Sequence, residues 1–357
     1  MRLVLINELH PDSPHVGAIR FREFAKALRA RGHDVVLLTD DLAPPKKNRI
    51  DDLPWGLRQI VIAWRFLISG GLRPSWRRRM QPEIDRLATE FKPDLVWATF
   101  GSVDCWAIAR DLARKTACPW VADLKDFWPH FIPKPFRSVL AWRYRDAAAW
   151  TALSRTHAQV ARPWFDAAPT VIYSGFPAAA IRAGIEAPEP VICLFGSLYG
   201  GTLLPTLLQG MPPKLRLVYR GDDRALVEAM HASGDYEVAL DADGFIPTEE
   251  LLALQGRATA NVYLPFGRTF HHKFLELLAA RRPILALPAD YDEAKEIAAA
   301  TGIPFFSCRT EQDVANALTA ASVRSAVGDP AAIREFSWEA QAEKLEALFG
   351  SVLQPRS

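Results

Sequence analysis

Short apolar runs recur along this 357-residue chain, and most are followed by stretches whose apolar positions fall three and four apart. A buried parallel strand reads as an unbroken apolar run, and an amphipathic helix as an i, i+3, i+4 stripe. On that basis the first half predicts strands at "RLVLIN", "DVVLLT", "DLVWAT", "PWVAD", "WTALS" and "TVIYS". The second half predicts them at "PVICLFG", "LRLVYRG", "YEVAL", "ANVYL", "PILALP" and "IPFFS". Strands alternating with helices, about six per half, predict an α/β fold of two doubly wound, Rossmann-like domains whose crevices face a cleft. Gly and Pro cluster without strong periodicity in residues 173–190, which places the seam there. The closing "FSWEAQAEKLEALFG" carries Phe336, Trp338, Leu345 and Leu348 and predicts a terminal amphipathic helix.

Composition narrows the class without naming a ligand. Apolar residues make up 49% of the chain, enough for a sizeable core, and the net charge of +2 makes no general case for nucleic acid. Cys105, Cys118, Cys193 and Cys308 are scattered without metal-type spacing and read as reduced thiols. "MRLVLIN" is too short for a signal peptide, and no long apolar stretch lacks charge, so the chain is expected to be cytoplasmic, or at most peripheral to a membrane.

Candidate chemistry sits where predicted strands end. "DLKDFWP" follows a strand, putting Asp123, Lys125 and Asp126 on the ligand side of an open sheet, either to bind hydroxyls and handle a proton or as a structural ion pair. Gly17 lies where the first strand's loop turns into the helix striped by Phe21, Phe24, Ala25 and Leu28, and either admits a substrate to the backbone or serves the turn. "GSLYGGT" has P-loop glycine spacing but Thr202 in place of Lys, and no G-x-G-x-x-G occurs. Its glycines, Gly196, Gly200 and Gly201, still predict backbone N–H groups open to an anion before a helix. "HHKFLELLAARRPILALP" predicts a helix with Phe274, Leu277 and Leu278 buried and Lys273 and Glu276 sharing another face. "DAD" at 241–243 reads as a turn rather than a metal site, and adjacent His271 and His272 are not expected to chelate; no metal site is predicted. Residues 53–80 join an apolar, Trp-containing stretch to Arg73, Arg77, Arg78 and Arg79, which suits an anionic membrane surface or a core helix followed by a solvated one.

In order and context these segments resemble the retaining GT-B glycosyltransferases of the large bacterial group that builds surface polysaccharides and glycolipids, a family 4-like pattern. The likeness rests on "HVGAIRFREFAKALRARGHDVVLLT", "KPDLVWAT", "VADLKDFWP", "TALS" with "TVIYSGFP", "KFLELLAARRPILALP" and the C-terminal helix. It implies an acceptor-binding domain over 1–175, a nucleotide-sugar domain over 176–338, and a helix over 339–357 crossing back. It further implies donor contacts from Gly196, Ser197, Gly200, Gly201, Lys273 and Glu276, and acceptor contacts from Gly17, Arg20, Asp123 and Lys125. Lys273, Glu276 and Asp126 would be the catalytic residues, with no cofactor and no metal required. Partners are a nucleotide-sugar and a saccharide or polyprenyl-linked acceptor, but no nucleic acid. Two alternatives stay open: a GT-B sugar-nucleotide epimerase, which shares the architecture, and an inactive GT-B module serving as a partner subunit, which is supported by Arg268 standing where the family's acidic motif has its first Glu.

Overall fold

The computed structural model describes residues 1–13, 16–40, 53–132, 134–165, 168–182, 188–198, 201–264, 270–288, 292–322 and 328–354. Among the described residues the apolar runs form twelve strands in two all-parallel sheets. The first holds β1 (Arg2–Ile6), β2 (Asp34–Leu38), β3 (Leu95–Thr99), β4 (Trp120–Leu124), β5 (Ala149–Ala152) and β6 (Thr170–Val171), ordered β2-β1-β3-β4-β5-β6. The second holds β7 (Glu189–Phe195), β8 (Arg216–Arg220), β9 (Ala239–Asp243), β10 (Ala258–Tyr263), β11 (Ile284–Ala286) and β12 (Phe305–Ser307), ordered β12-β11-β10-β7-β8-β9. Both orders are doubly wound, reversing between β1 and β3 in one sheet and between β7 and β10 in the other.

The chain divides into two units, Met1–Tyr173 with Gln341–Ser357, and Ser174–Ala340. In the first, Phe21, Phe24, Ala25 and Leu28 of the helix Val16–Ala30 are fully buried, as their spacing requires. Trp106 anchors an aromatic core, its ring meeting Phe100, Tyr144, Trp150 and Phe165 at centroid distances of 5.0–5.9 Å. In the second, Phe274, Leu277 and Leu278 of the helix Lys273–Ala279 are fully buried, and the Phe274 ring meets Tyr263 of β10 and Phe305 of β12.

Two expectations are corrected. "DAD" is not a turn: Asp241–Asp243 lie in β9, paired with Val218–Arg220 of β8. Strand β9 is an edge strand, where charged side chains are tolerated and discourage further pairing. Asp241 accepts from Arg220 at 3.0 and 3.1 Å, and Asp243 pairs with Arg224 at 3.3 Å. The arginine cluster is largely committed as well. Arg73 pairs with Asp40 (2.6 Å) and Glu8 (3.4 Å), Arg79 with Asp40 (2.8 Å), and Arg77 with Asp111, leaving Arg78 exposed. Trp76, in the midst of these arginines, is buried.

The helix Trp338–Leu353 crosses from the second unit into the first. There Ala342, Leu345 and Phe349 are fully buried, and Glu346 accepts from Arg31 and meets His33 Nε2 at 2.8 Å.

Candidate active site

In the second unit, β7 ends at Phe195 and the chain turns at Gly196, whose φ of +74° favours glycine. Beyond β10, the helix Lys273–Ala279 starts on the other side of the same switch point. Lys273 spans the gap. Its Nζ donates to Ser197 O at 3.1 Å and lies 5.9 Å from the Phe195 ring centroid. A Cβ on Gly196 would come within 2.5 Å of that Nζ, so the glycine is what lets the ammonium through. Glu276 is one turn further along the helix. Burial pushes its carboxyl up to about 7, against the opposing pull of Lys273. Burial also lowers the Lys273 ammonium, while Glu276, Asp222 and Asp223 act to hold its charge. Gly196, Ser197, Lys273 and Glu276 are thus brought to one crevice.

The rest of the expected donor loop differs. Gly196 N–H donates to Arg220 O (2.8 Å), Leu198 N–H to Asp223 Oδ2 (2.6 Å) and Gly201 N–H to Leu198 O (3.1 Å). These three amides are spent inside the protein, and the following helix begins only at Leu204, so the cradle of open amides expected at "GSLYGGT" is not formed by the described residues. Gly201 faces Met230 and Leu226 rather than the crevice, and Gly200 lies outside the described residues, as does Arg268. His271 and His272 precede the helix instead of sitting on it, and their rings pack together at 4.3 Å. Among the described residues no group of His, Cys, Asp and Glu side chains could hold a metal ion.

Sequence reasoning missed "YRGDD", residues 219–223, at the C-terminal end of β8. Tyr219 Oη donates to Gly196 O (2.7 Å) and accepts from Asp223 N–H (2.9 Å), while Ser197 Oγ donates to Asp222 Oδ2 (2.9 Å). Gly221 passes so close that a Cβ would strike Tyr219 Oη and Gly196 O. Gly-Asp-Asp directly after a parallel strand was the available signal, because strand C-termini face the crevice.

The switch point of the first unit carries a second constellation. Asn7, just after β1, donates through Nδ2 to Gly17 O at 2.8 Å. Lys125, after β4, pairs with Asp126 at 3.2 Å and lays its ammonium against Gly17, where a Cβ would displace it. The close approach that requires a glycine at 17 is thus made by the Lys125 side chain. Glu8 completes the group and had no predicted role. Burial raises its carboxyl pKa, Arg73 and Lys125 oppose that, and Asp126 and Asp104 reinforce it. Burial likewise raises Asp126 against the opposing charge of Lys125. Gly101, after β3, makes room for Glu8 Oε1, which would lie 2.6 Å from a Cβ there.

Arg20 and Asp123 are corrected as ligand contacts. Both side chains are 0% exposed and pair with each other at 3.0 and 3.3 Å. Thr151 Oγ1 donates to Asp123 Oδ1 (2.8 Å), and Trp97 Nε1 donates to Thr151 Oγ1 (3.2 Å). This network ties the helix Val16–Ala30 to β3, β4 and β5 beneath Lys125 and Asp126, holding the crevice rather than lining it.

Residues 17–179 match the model of Glycosyltransferase Family 4. In three dimensions the chain is similar to HepE of Anabaena, solved with UDP-glucose, at 15% identity and a TM-score of 0.66, covering 98% of this chain and 100% of that one. It is also similar to sucrose-phosphate synthase of Thermosynechococcus elongatus (16%, TM-score 0.69, 98% of each chain). The UDP-GlcNAc 2-epimerase of Methanocaldococcus jannaschii is similar at 12%, with a TM-score of 0.58 over 98% of this chain and 100% of that one. Likeness at such identities shows the fold, and no curated protein matches the chain in sequence. The order of the two sheets and the spatial likenesses agree on the GT-B fold, and the match to Glycosyltransferase Family 4 covers residues 17–179, a little under half of the chain.

Proposed function

We propose that the chain transfers a sugar, with retention of configuration, from a nucleoside diphosphate-sugar to a saccharide or lipid-linked acceptor in envelope polysaccharide or glycolipid synthesis. The observation that carries this reading is Lys273, held across the switch point of the second unit with Glu276 one turn behind it. HepE, a protein of the same fold solved with UDP-glucose, supports a nucleotide-sugar there. The Glu276 carboxylate accepts hydrogen bonds from ribose hydroxyls, and the Lys273 ammonium faces the diphosphate. The bond from the anomeric carbon to the diphosphate oxygen breaks, the acceptor oxygen bonds to that carbon on the same face, and the acceptor's proton passes to the departing phosphate. Lys273 opposes the charge that grows on the leaving group, so neither a metal nor a carboxylate nucleophile is needed. In the first unit, Glu8, Lys125 and Asp126 offer alternating charge to acceptor hydroxyls.

Lys273→Ala tests the assignment with one identified donor. Charge opposed mainly in the transition state predicts that kcat falls more than KM for donor rises. Near-native turnover in the folded variant would make Lys273 and Glu276 a plain helix-surface pair worth about 0.2–0.5 kcal/mol. The likeness to a UDP-GlcNAc 2-epimerase favours a second reading, in which donor is converted without acceptor. Incubation with nucleotide-sugar alone separates the two.

A further inference from the structure

The outward face of the helix Trp55–Ser69 is apolar. Leu57, Ile60, Trp64, Leu67 and Ile68, spaced i, i+3, i+7, i+10 and i+11, share one side of the helix, and each is between 55% and 65% exposed. The opposite side fixes that orientation: Phe66 is fully buried, its ring 5.9 Å from Phe136, and Ile62 packs on the core. The neighbouring helix Lys134–Arg143 extends the patch with Trp142, 64% exposed. Arg143 Nη1 donates to Leu67 O at 3.4 Å, joining the two helices, and the Arg145 guanidinium lies 5.3 Å from the Trp142 ring centroid. Six large apolar side chains more than half exposed on adjoining helices exceed the scattered exposure that needs no explanation.

We propose that this face seats the first unit on an anionic lipid bilayer, with the helix lying in the plane of the interface. Three observations select that occupant. The helix carries Arg58 and Arg65 and no Asp or Glu, and Arg143 and Arg145 stand beside Leu67 and Trp142, so cations border the apolar face. Trp64 and Trp142 are the side chains that settle at a lipid–water boundary, and Arg145 on the Trp142 ring pairs apolar body with cation as such a boundary requires. The helix is 15 residues long, about 22 Å, too short to span about 30 Å of hydrocarbon, and no helix among the described residues is long and apolar enough to cross a membrane. A second copy is disfavoured because a two-fold contact would set each arginine-bordered face against its own kind. The surface differs from the Arg73, Arg77 and Arg79 cluster expected from sequence, since those side chains are held by Asp40, Glu8 and Asp111. It does not depend on the donor assignment, because vesicle binding is read without turnover.

The test is co-sedimentation of the full chain with phosphatidylcholine vesicles containing phosphatidylglycerol, and with phosphatidylcholine alone. The wild type is expected to pellet with the anionic vesicles and far less with the neutral ones. Ile60→Ser/Trp64→Ser/Leu67→Ser is expected to lose at least about tenfold in partitioning, since apolar burial and attraction to anionic lipid act together at such a surface. Circular dichroism establishes that the variant is folded; should it not fold, Trp64→Ser and Trp142→Gln singly carry the reading, each with a few-fold loss. Equal pelleting of folded variant and wild type would overturn the proposal, as would a wild type that stays in solution. So would light scattering that shows a dimer converted to monomer by the substitutions, with no vesicle binding by either.

Discussion

The carboxyl of Glu276 is held where losing its proton is costly, and that cost has two readable consequences. Its pKa rises from 4.5 to about 7 on folding, so the folded chain binds the proton more tightly than the unfolded one. Below pH 4.5 both states are protonated and nothing is lost; between 4.5 and 7 the unfolded state ionises first, and the penalty grows to roughly 3 kcal/mol above pH 7. Glu276→Gln is therefore expected to raise thermal stability at pH 8 and leave it nearly unchanged at pH 4.5, measured by calorimetry. Nucleotide binding should respond in the opposite sense. On the proposed assignment, in which ribose hydroxyls bond the carboxylate, affinity for a nucleoside diphosphate is expected to fall below pH 7, approaching tenfold per pH unit, and to lose that slope in Glu276→Gln. Titration calorimetry across pH 5.5–8.5 checks it; parallel slopes in the two proteins would remove Glu276 from the binding site. The helix that carries Lys273 and Glu276 was legible in sequence, because charge on one face and Phe274, Leu277 and Leu278 on another announce which side is buried. Arg20 and Asp123 were not, since nothing local marks an ion pair between residues 103 positions apart as sealed from solvent.

At the scale of elements, strands were the most legible feature. A parallel strand covered on both faces reads as an apolar run, and such runs mark most interior strands of both sheets, with Asp123, Thr151, Thr259 and Asn261 interrupting β4, β5 and β10. "YEVAL" places β9 three residues early, because an edge strand takes aspartates that an interior strand would reject. The loops were harder: "GSLYGGT" has the glycines of an anion cradle, yet its amides are consumed by Asp223, Arg220 and Leu198, partners that sequence does not reveal. The helix Val16–Ala30 is held to the sheet by the buried Arg20–Asp123 pair, which makes a sharp prediction. Arg20→Met strands a buried carboxylate and should cost about 3–5 kcal/mol in chemical denaturation, whereas Arg20→Met/Asp123→Leu should recover most of it. A single variant as stable as wild type would show that the pair is not what fixes the helix. The double variant also isolates function from stability, because any loss of turnover that persists would come from misplaced Lys125 and Asp126.

For the whole molecule, the C-terminal helix matters most. Removing residues 341–357 uncovers the sites of Leu345 and Phe349 and takes Glu346 from Arg31 and His33. Burial of two such side chains stabilises by roughly 3–6 kcal/mol, a large share of what a domain of this size has. Truncation should lower the unfolding transition of the first unit while that of Ser174–Ala340 stays in place, as followed by differential scanning calorimetry; a uniform shift of both would contradict it. The helix is also one half of a paired crossing. Tyr173 N–H donates to Gln341 Oε1 at 2.8 Å on one side of the boundary, and Trp338 N–H donates to Phe176 O at 2.9 Å on the other, with Gly175 too close to the backbone of residues 336–338 to carry a side chain. The chain thus leaves and re-enters the first unit at neighbouring points, so that Ser174–Ala340 is topologically an insert. A gene in which a short linker joins Tyr173 to Gln341 would encode a closed first unit, and one beginning at Ser174 and ending at Ala340 a second unit with adjacent ends, which makes this junction a natural place for exchanging second units between related chains.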